Sequence, residues 1–391
     1  MFSSRLPAAL APNAITRAVS ALRDRQVAFL DLTETNPTRV GVTYPPDLLR
    51  SLAAPDAAAY QPESRGLPAA RAAIAADYAA DGTTIDPDRV VLTASTSEAY
   101  ALLFKLLADS GDEVLVPQPS YPLFESLTSL ESVRAAPYHL DYHGVWSIDR
   151  DSLMRAANNR TRAVLIVSPN NPTGSMLRAA DRDWLASLCA DRQWAIIADE
   201  VFAGYPLRPG RDAVSCAGET RALTFVLGGL SKSAGLPQLK LGWIVVSGPD
   251  ALVSQAIDRL DVICDTYLSV STPVQIAAPV LLAAGRSIRE SIRARISANL
   301  ASLERLLGNA SSISLLPPEG GWSVALRVPA VESEEALVLR LLRDHHVLVH
   351  PGFFFDFATE AYIVVSLLPE PSVFDTAVGR VITSIIDGPA S

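Results

Sequence analysis

Apolar residues cluster along this chain in a way that changes character twice. Between residues 90 and 250, short runs rich in Val, Ile and Leu (RVVLTA, DEVLVP, RAVLIVSP, WAIIADE, LTFVLGG and GWIVVSG) are separated by longer amphipathic stretches. Continuous apolar runs of this length, each closed by turn residues or a polar loop, predict buried strands of an α/β sheet. Ligands in such sheets gather beyond the carboxyl ends of the strands, so chemistry is expected just after each run.

From about residue 284 to 307 the pattern shifts to Ile and Leu at near-helical spacing with charges between, which predicts one long helix leading out of the sheet. Beyond it, ISLL, GGWSVALRVP, VLVHP and YIVVSLL read as strands, with one helix before and one after the last pair. Together they predict a smaller α+β unit, with LPPEGG at 316–321 as a loop.

Length and charge narrow the function. A chain of 391 residues exceeds the size at which a single core keeps growing, so one large and one smaller domain are expected. A net charge of −9, with no local run of Lys or Arg, argues against a nucleic-acid surface or a polybasic membrane patch and favours small-molecule chemistry. Cys189, Cys216 and Cys264 are widely spaced and form no CxxC pair, which suggests neither a disulfide framework nor a metal site. The amino-terminal stretch has no continuous apolar segment of the signal-peptide kind, and no run reaches about eighteen apolar residues. A cytoplasmic protein is expected.

The strand ends carry the unusual residues. After VVLTA, Ser95, Thr96 and Ser97 open a helical pattern, where hydroxyls and free backbone N–H groups make either an anion site or an ordinary helix cap. After AVLIV comes SPNNPTG, in which Asn171 precedes a proline and a turn. After WAII stand Asp199 and Glu200. After LTFVLGG comes LSK, with Lys232. Only three of the 33 basic residues are lysine (Lys105, Lys232 and Lys240), and two of them fall in GGLSKSAGLPQLKLGW. Arginine serves surface charge equally well, but only lysine offers an amine that can lose its proton and attack a carbonyl. An anion cradle, an amide, a carboxylate and a lysine at successive strand ends describe a site for a phosphorylated, carbonyl-bearing aromatic base.

The order Y…G…STS…PSYP…NNPTG…DEVF…SK…GLPQLKLGW resembles the pyridoxal-phosphate-dependent aminotransferases of fold type I, class I/II, over nearly the whole chain. The resemblance implies a mixed, mostly parallel seven-stranded sheet in a large cofactor-binding domain (46–284) and a small domain built from both chain ends (1–45 and 285–391). It also implies a homodimer with active sites at the interface. In this likeness Lys232 holds pyridoxal 5′-phosphate as a Schiff base and moves the proton, Asp199 pairs with the pyridine nitrogen, and Tyr121 lies against the ring face; these three would be catalytic. Asn171 would bond the ring oxygen O3′ and take part in substrate binding. Ser95, Thr96 and Ser97 would cradle the phosphate with Lys240 as its cation, Ser231 would be a further cofactor-binding residue, and Tyr60 would reach the partner subunit's phosphate. The implied reaction moves an amino group between an amino acid or amine and a 2-keto acid.

Four positions depart from the family pattern. Phe202 stands where a tyrosine would add a second donor to O3′, Gly229 replaces a Ser or Thr, and Lys240 replaces an arginine. In AYIVVSL, Val364 takes the place of the arginine that grips the substrate α-carboxylate. Arg39, in LTETNPTRVG, is the candidate replacement anchor, with His350 and Arg327 as weaker ones. Loss of that arginine keeps open a pyridoxal-phosphate-dependent β-eliminating C–S lyase of the cystathionine β-lyase kind, and a non-enzymatic cofactor-binding regulatory protein stands as a further alternative.

Overall fold

The computed structural model describes residues 2–7, 10–208, 210, 212–308 and 312–388. A short β1 (Leu30–Asp31) precedes the main sheet, which is built from β2 (Val90–Thr93), β3 (Glu113–Gln118), β4 (Arg134–Tyr142), β5 (Trp146–Ile148), β6 (Thr161–Val167), β7 (Ala195–Asp199), β8 (Thr224–Gly229) and β9 (Gly242–Ser247). Their order across the sheet is β2-β9-β8-β7-β6-β3-β4-β5. β9 and β5 run against their neighbours and the other six strands are parallel. The apolar runs all become strands because both faces of the sheet are covered: in β7, Ile196 and Ala198 feed one core and Ala195 and Ile197 the other.

The main sheet has eight strands where seven were expected. The addition is the edge strand β5, which closes a hairpin with β4 whose pairing runs from Leu140 opposite Ile148 to Tyr142 opposite Trp146. The hairpin's buried positions are sparse, so it lacks the apolar run that announces the central strands.

The long helix begins at Thr272 and ends at Leu307, earlier than its charged half suggested. Its first turns, TPVQIAAPVLLAAG, are apolar nearly all round and contain Pro279, so they show no amphipathic stripe although they are helical. After it come β10 (Ser314–Leu316), β11 (Ser323–Arg327), β12 (Val347–Leu348), β13 (His350–Pro351) and β14 (Tyr362–Ser366). Four of these form an antiparallel sheet in the order β10-β11-β14-β13, while β12 pairs in parallel with β1. The Ser366 N–H donates to Leu32 O at 2.6 Å, which lays the amino-terminal segment along the end of β14. Leu316, Ala325, Val364 and His350 are successive cross-strand neighbours in one row of the small sheet. Trp146, from the hairpin, packs on that row with Phe355.

Candidate active site

All six parallel strands end on the same edge of the main sheet, and the residues singled out from the sequence follow those ends. β8 closes at Gly229 and gives way to the short helix Leu230–Ser233, which carries Ser231 and Lys232. Two phenols from different parts of the chain hold this turn. Tyr205 donates to Lys232 O, and Tyr44, from the amino-terminal segment, donates to Gly235 O at 2.7 Å. Burial pushes the Lys232 amine down to about 8, with the Asp199 carboxylate pulling partly the other way. At that value a substantial fraction of the amine is neutral near physiological pH, the form that attacks a carbonyl. The amine lies 4.7 Å from the ring centre of Trp322 and 5.3 Å from that of Phe202.

Asp199 ends β7 and is 9% exposed. Burial raises its carboxyl above the usual carboxylate range, opposed by the Tyr100 hydroxyl, the Val201 N–H and the charge of Lys232. Tyr100 donates to Oδ2 at 2.7 Å and Val201 N–H to Oδ1 at 3.1 Å. The carboxylate is therefore fixed in direction and supplied with donors, ready for a cationic partner that outweighs its desolvation.

The anion cradle forms after β2. Ser95 caps the helix Thr96–Leu107, its hydroxyl accepting from Glu98 N at 3.1 Å, so the capping role is real. The Thr96 and Ser97 N–H groups lie in the first turn, where no intrahelical acceptor exists, and remain open to an anion. Gly242 runs close against this turn. A Cβ there would stand 2.9 Å from Thr93 Oγ1, 3.0 Å from Ser95 C and 3.2 Å from Thr96 N. Two residues earlier, Lys240 adopts φ +52° and is exposed, with no ion pair among the described residues.

The turn after β6 divides the work of its two asparagines. Asn170 is buried and holds the turn, accepting from Thr173 N and Thr173 Oγ1. Asn171 is not used this way, and its Oδ1 is buried with no partner among the described residues. Its amide thus has unspent hydrogen-bonding capacity, and half a turn of the group exchanges donor for acceptor.

The structure thus gathers Ser95, Thr96, Ser97, Asn171, Asp199, Phe202, Ser231, Lys232 and Lys240 at one sheet edge. Tyr121, after β3, is 47% exposed and lines a cleft with Phe353 and Phe354. Tyr60 lies apart, 77% exposed, in a surface cleft with Tyr267 and Leu268. Arg39 ends the turn Pro37–Arg39, where its backbone N–H donates to Asn36 O at 3.0 Å, and its exposed guanidinium has no hydrogen bond or ion pair among the described residues. Val364 is fully enclosed by Trp146, Ala325, Leu316 and Phe355, so its place is an apolar seal with no room for a charged head. His350, opposite Val364, is partly buried, and burial holds its imidazole below the ordinary value.

Three neighbours of Lys232 and Asp199 carry no mark in the sequence. Tyr100 reads as one more apolar position of an amphipathic helix, and Tyr205 as part of a loop. Trp322 follows a loop whose anchor is Glu319, a buried carboxylate that pairs with Arg178 and accepts from Met176 N. Gly320 and Gly321 then let the chain pass against Pro169 and Tyr205. The Gly321 N–H donates to Tyr205 O at 2.9 Å at φ +87°, and a Cβ on Gly320 would lie 2.7 Å from Pro169 Cγ. The only sequence signal is that Gly-Gly pair directly before an aromatic residue.

The family model for aminotransferases of class I and II matches residues 33–378. The chain is similar to the glutamate-pyruvate aminotransferase AlaA of Haemophilus influenzae, 28% identical over 92% of this chain and 91% of the relative. It is likewise 28% identical to an alanine aminotransferase of Mycobacterium tuberculosis, over 87% of this chain and 82% of that one. Among solved structures, an aminotransferase from Escherichia coli superposes with a TM-score of 0.85 at 25% identity, covering 98% of this chain and 97% of that one. An alanine aminotransferase from Pyrococcus furiosus gives 0.88 at 24% identity, covering 99% of this chain and 100% of that one.

Proposed function

The chain belongs to the class I and II aminotransferases and is an aminotransferase, and from that premise we propose that Lys232 carries pyridoxal 5′-phosphate and that a small α-amino acid is the donor, with alanine and pyruvate the first pair to try. The observation that carries this reading is a desolvated lysine amine, held near 8, beside a buried carboxylate. The names of the relatives from Haemophilus influenzae and Mycobacterium tuberculosis, glutamate-pyruvate and alanine aminotransferase, support the choice of pair. So do the bulky walls of Phe202 and Trp322 beside the amine.

The residues present fit the cofactor. An open helix start with Lys240 nearby suits a phosphate, and a Cβ on Gly242 would intrude on that cradle. Asp199 suits a protonated ring nitrogen, and the unpartnered amide of Asn171 suits a ring oxygen. When bound, pyridoxal phosphate supplies an aldehyde carbon for the amine and a ring that draws electron density from the substrate Cα. Asp199, turned by Tyr100 and Val201, keeps the proton on the ring nitrogen. Lys232 Nζ, once freed by substrate, would take the proton at Cα and return it to the cofactor carbon on the other side of the amino nitrogen. Phe202 and Trp322 exclude water from that amine. Tyr121 borders the ring face.

Arg39 supplies the grip on the α-carboxylate in this reading, since the row around Val364 is sealed and a carboxylate desolvated without a cation binds poorly. Its free guanidinium on a segment that runs past the end of β14 supports the assignment. Tyr60, with Val262 at 69% and Tyr267 at 55% exposure, belongs to the face of a homodimer, where Tyr60 reaches the partner's phosphate. Three free, buried cysteines suit a cytoplasmic location. No helix among the described residues is long and apolar enough to cross a membrane.

A substrate panel tests the reading. The loaded enzyme is mixed with L-alanine, L-glutamate, an S-substituted L-cysteine and simple primary amines, and the cofactor's visible band is followed together with product. Loss of the band with pyruvate formed from L-alanine and no ammonia released supports it. Ammonia and pyruvate formed from the S-substituted L-cysteine, which loses its thiol from Cβ, would make the protein a lyase in its chemistry, and reaction with amines alone would refute the α-amino-acid assignment. Arg39→Ala should raise KM for amino acids at least tenfold while leaving any amine reaction unchanged, because it removes binding shared by ground and transition states.

A further inference from the structure

A buried indole N–H normally finds an acceptor, since an unmade hydrogen bond in a dry interior costs free energy. Trp322 is 1% exposed, and its Nε1 has no partner among the described residues. Gly320 and Gly321 deliver this ring between Pro169 and Tyr205, and its centre comes to rest 4.7 Å from Lys232 Nζ. The other polar aromatic groups around the lysine turn are committed. The Tyr205 hydroxyl donates to Lys232 O, that of Tyr100 to Asp199 and that of Tyr44 to Gly235 O. Phe202 meets the Trp322 ring edge-on at 5.3 Å and offers no donor.

The inference rests on the reading that Lys232 bonds pyridoxal phosphate. In that molecule the phenolic oxygen O3′ is borne by the ring carbon next to the one carrying the aldehyde. Once the Lys232 nitrogen is joined to the aldehyde carbon, covalent geometry alone sets an anionic oxygen within hydrogen-bonding reach of that nitrogen. We propose that Trp322 Nε1–H binds O3′, supplying from the small sheet the donor that position 202 of the large domain does not. Asn171, whose turn packs against Gly320 through Pro169, supplies the other. A donor on O3′ stabilises its negative charge and so favours loss of the proton that this oxygen shares with the Lys232 nitrogen. Taking the donor away raises the pH at which that proton leaves.

The visible absorbance of the protein loaded with pyridoxal phosphate, titrated with pH, reads this midpoint without turnover. Trp322→Phe keeps an aromatic wall and is expected to move the midpoint up by about one unit. Adding Phe202→Tyr to the same chain is expected to bring it back down. A measurement on the wild type stands beside the variant in case Trp322→Phe does not fold. In ¹⁵N-tryptophan-labelled protein, with the other four of the five tryptophans replaced in turn for assignment, the Trp322 indole proton should move downfield on adding pyridoxal phosphate. An unmoved midpoint, or an indole signal indifferent to the cofactor, overturns the role of Trp322 while leaving Lys232 in place. If the wild type shows no Lys232-linked absorbance at all, the reading of the site falls and this proposal with it.

Discussion

Tyr100→Phe is a small change with a large expected effect, because it removes one oxygen from the environment of Asp199 and nothing else. The Tyr100 hydroxyl donates to Asp199 Oδ2 at 2.7 Å, Tyr100 is 1% exposed, and its ring packs on Phe124 at 5.5 Å, so a phenylalanine can occupy the same space. A hydrogen bond to a charged, buried acceptor is worth about 1.5–3 kcal/mol. At about 1.4 kcal/mol per unit, its loss raises the Asp199 carboxyl by about one to two units, on top of the rise that burial already imposes. Asp199 must be ionised to hold the proton of a ring nitrogen, so the cofactor has to displace a proton from the variant at pH values where the wild type carries none. The expected result is a pyridoxal-phosphate dissociation constant whose ratio, variant over wild type, grows as pH falls and reaches about ten- to a hundredfold. Fluorescence titration of the cofactor-free proteins across pH measures it. A ratio near one, or one that does not change with pH, would show that Tyr100 does not act on the ionisation of Asp199.

Gly242→Ala places a methyl group 3.0 Å from Ser95 C and 3.2 Å from Thr96 N, both backbone atoms, so the cradle must shift; cofactor affinity should fall about tenfold or more, and a calorimetric titration showing wild-type affinity would mean that the phosphate lies elsewhere. Lys240→Ala should weaken binding of pyridoxal phosphate but leave that of pyridoxal unchanged, and equal losses for both would remove Lys240 from the phosphate site. With its amine held at about 8, Lys232 should capture pyridoxal phosphate faster as pH rises and level off above that value; a stopped-flow rate flat between pH 6 and about 9 would contradict the assignment.

Much of the large sheet was legible because central parallel strands are buried on both faces and write themselves as unbroken apolar runs. The hairpin β4–β5 was not, since an edge strand buries only some of its positions, and neither was the first part of the long helix, which is apolar all round. In the site, the scarcity of lysine drew attention to Lys232, and the ends of the apolar runs pointed to Ser95, Asn171 and Asp199. Two roles at one residue were harder to see: Ser95 is both a cap and a neighbour of the cradle. Tyr100 and Trp322 were invisible for a different reason. Each is an ordinary core aromatic by its local pattern, and only the packing of distant segments sets one on Asp199 and the other over Lys232. The fate of Val364 likewise needed the hairpin, because nothing near AYIVVSL announces that Trp146 covers it.

The account turns on one amine. Borohydride reduction of the protein after incubation with pyridoxal phosphate, followed by peptide mapping, should place the covalent label on Lys232 and on no other residue, and Lys232→Ala should take none. Label on Lys105 or Lys240, or its persistence in Lys232→Ala, would contradict the account at its centre.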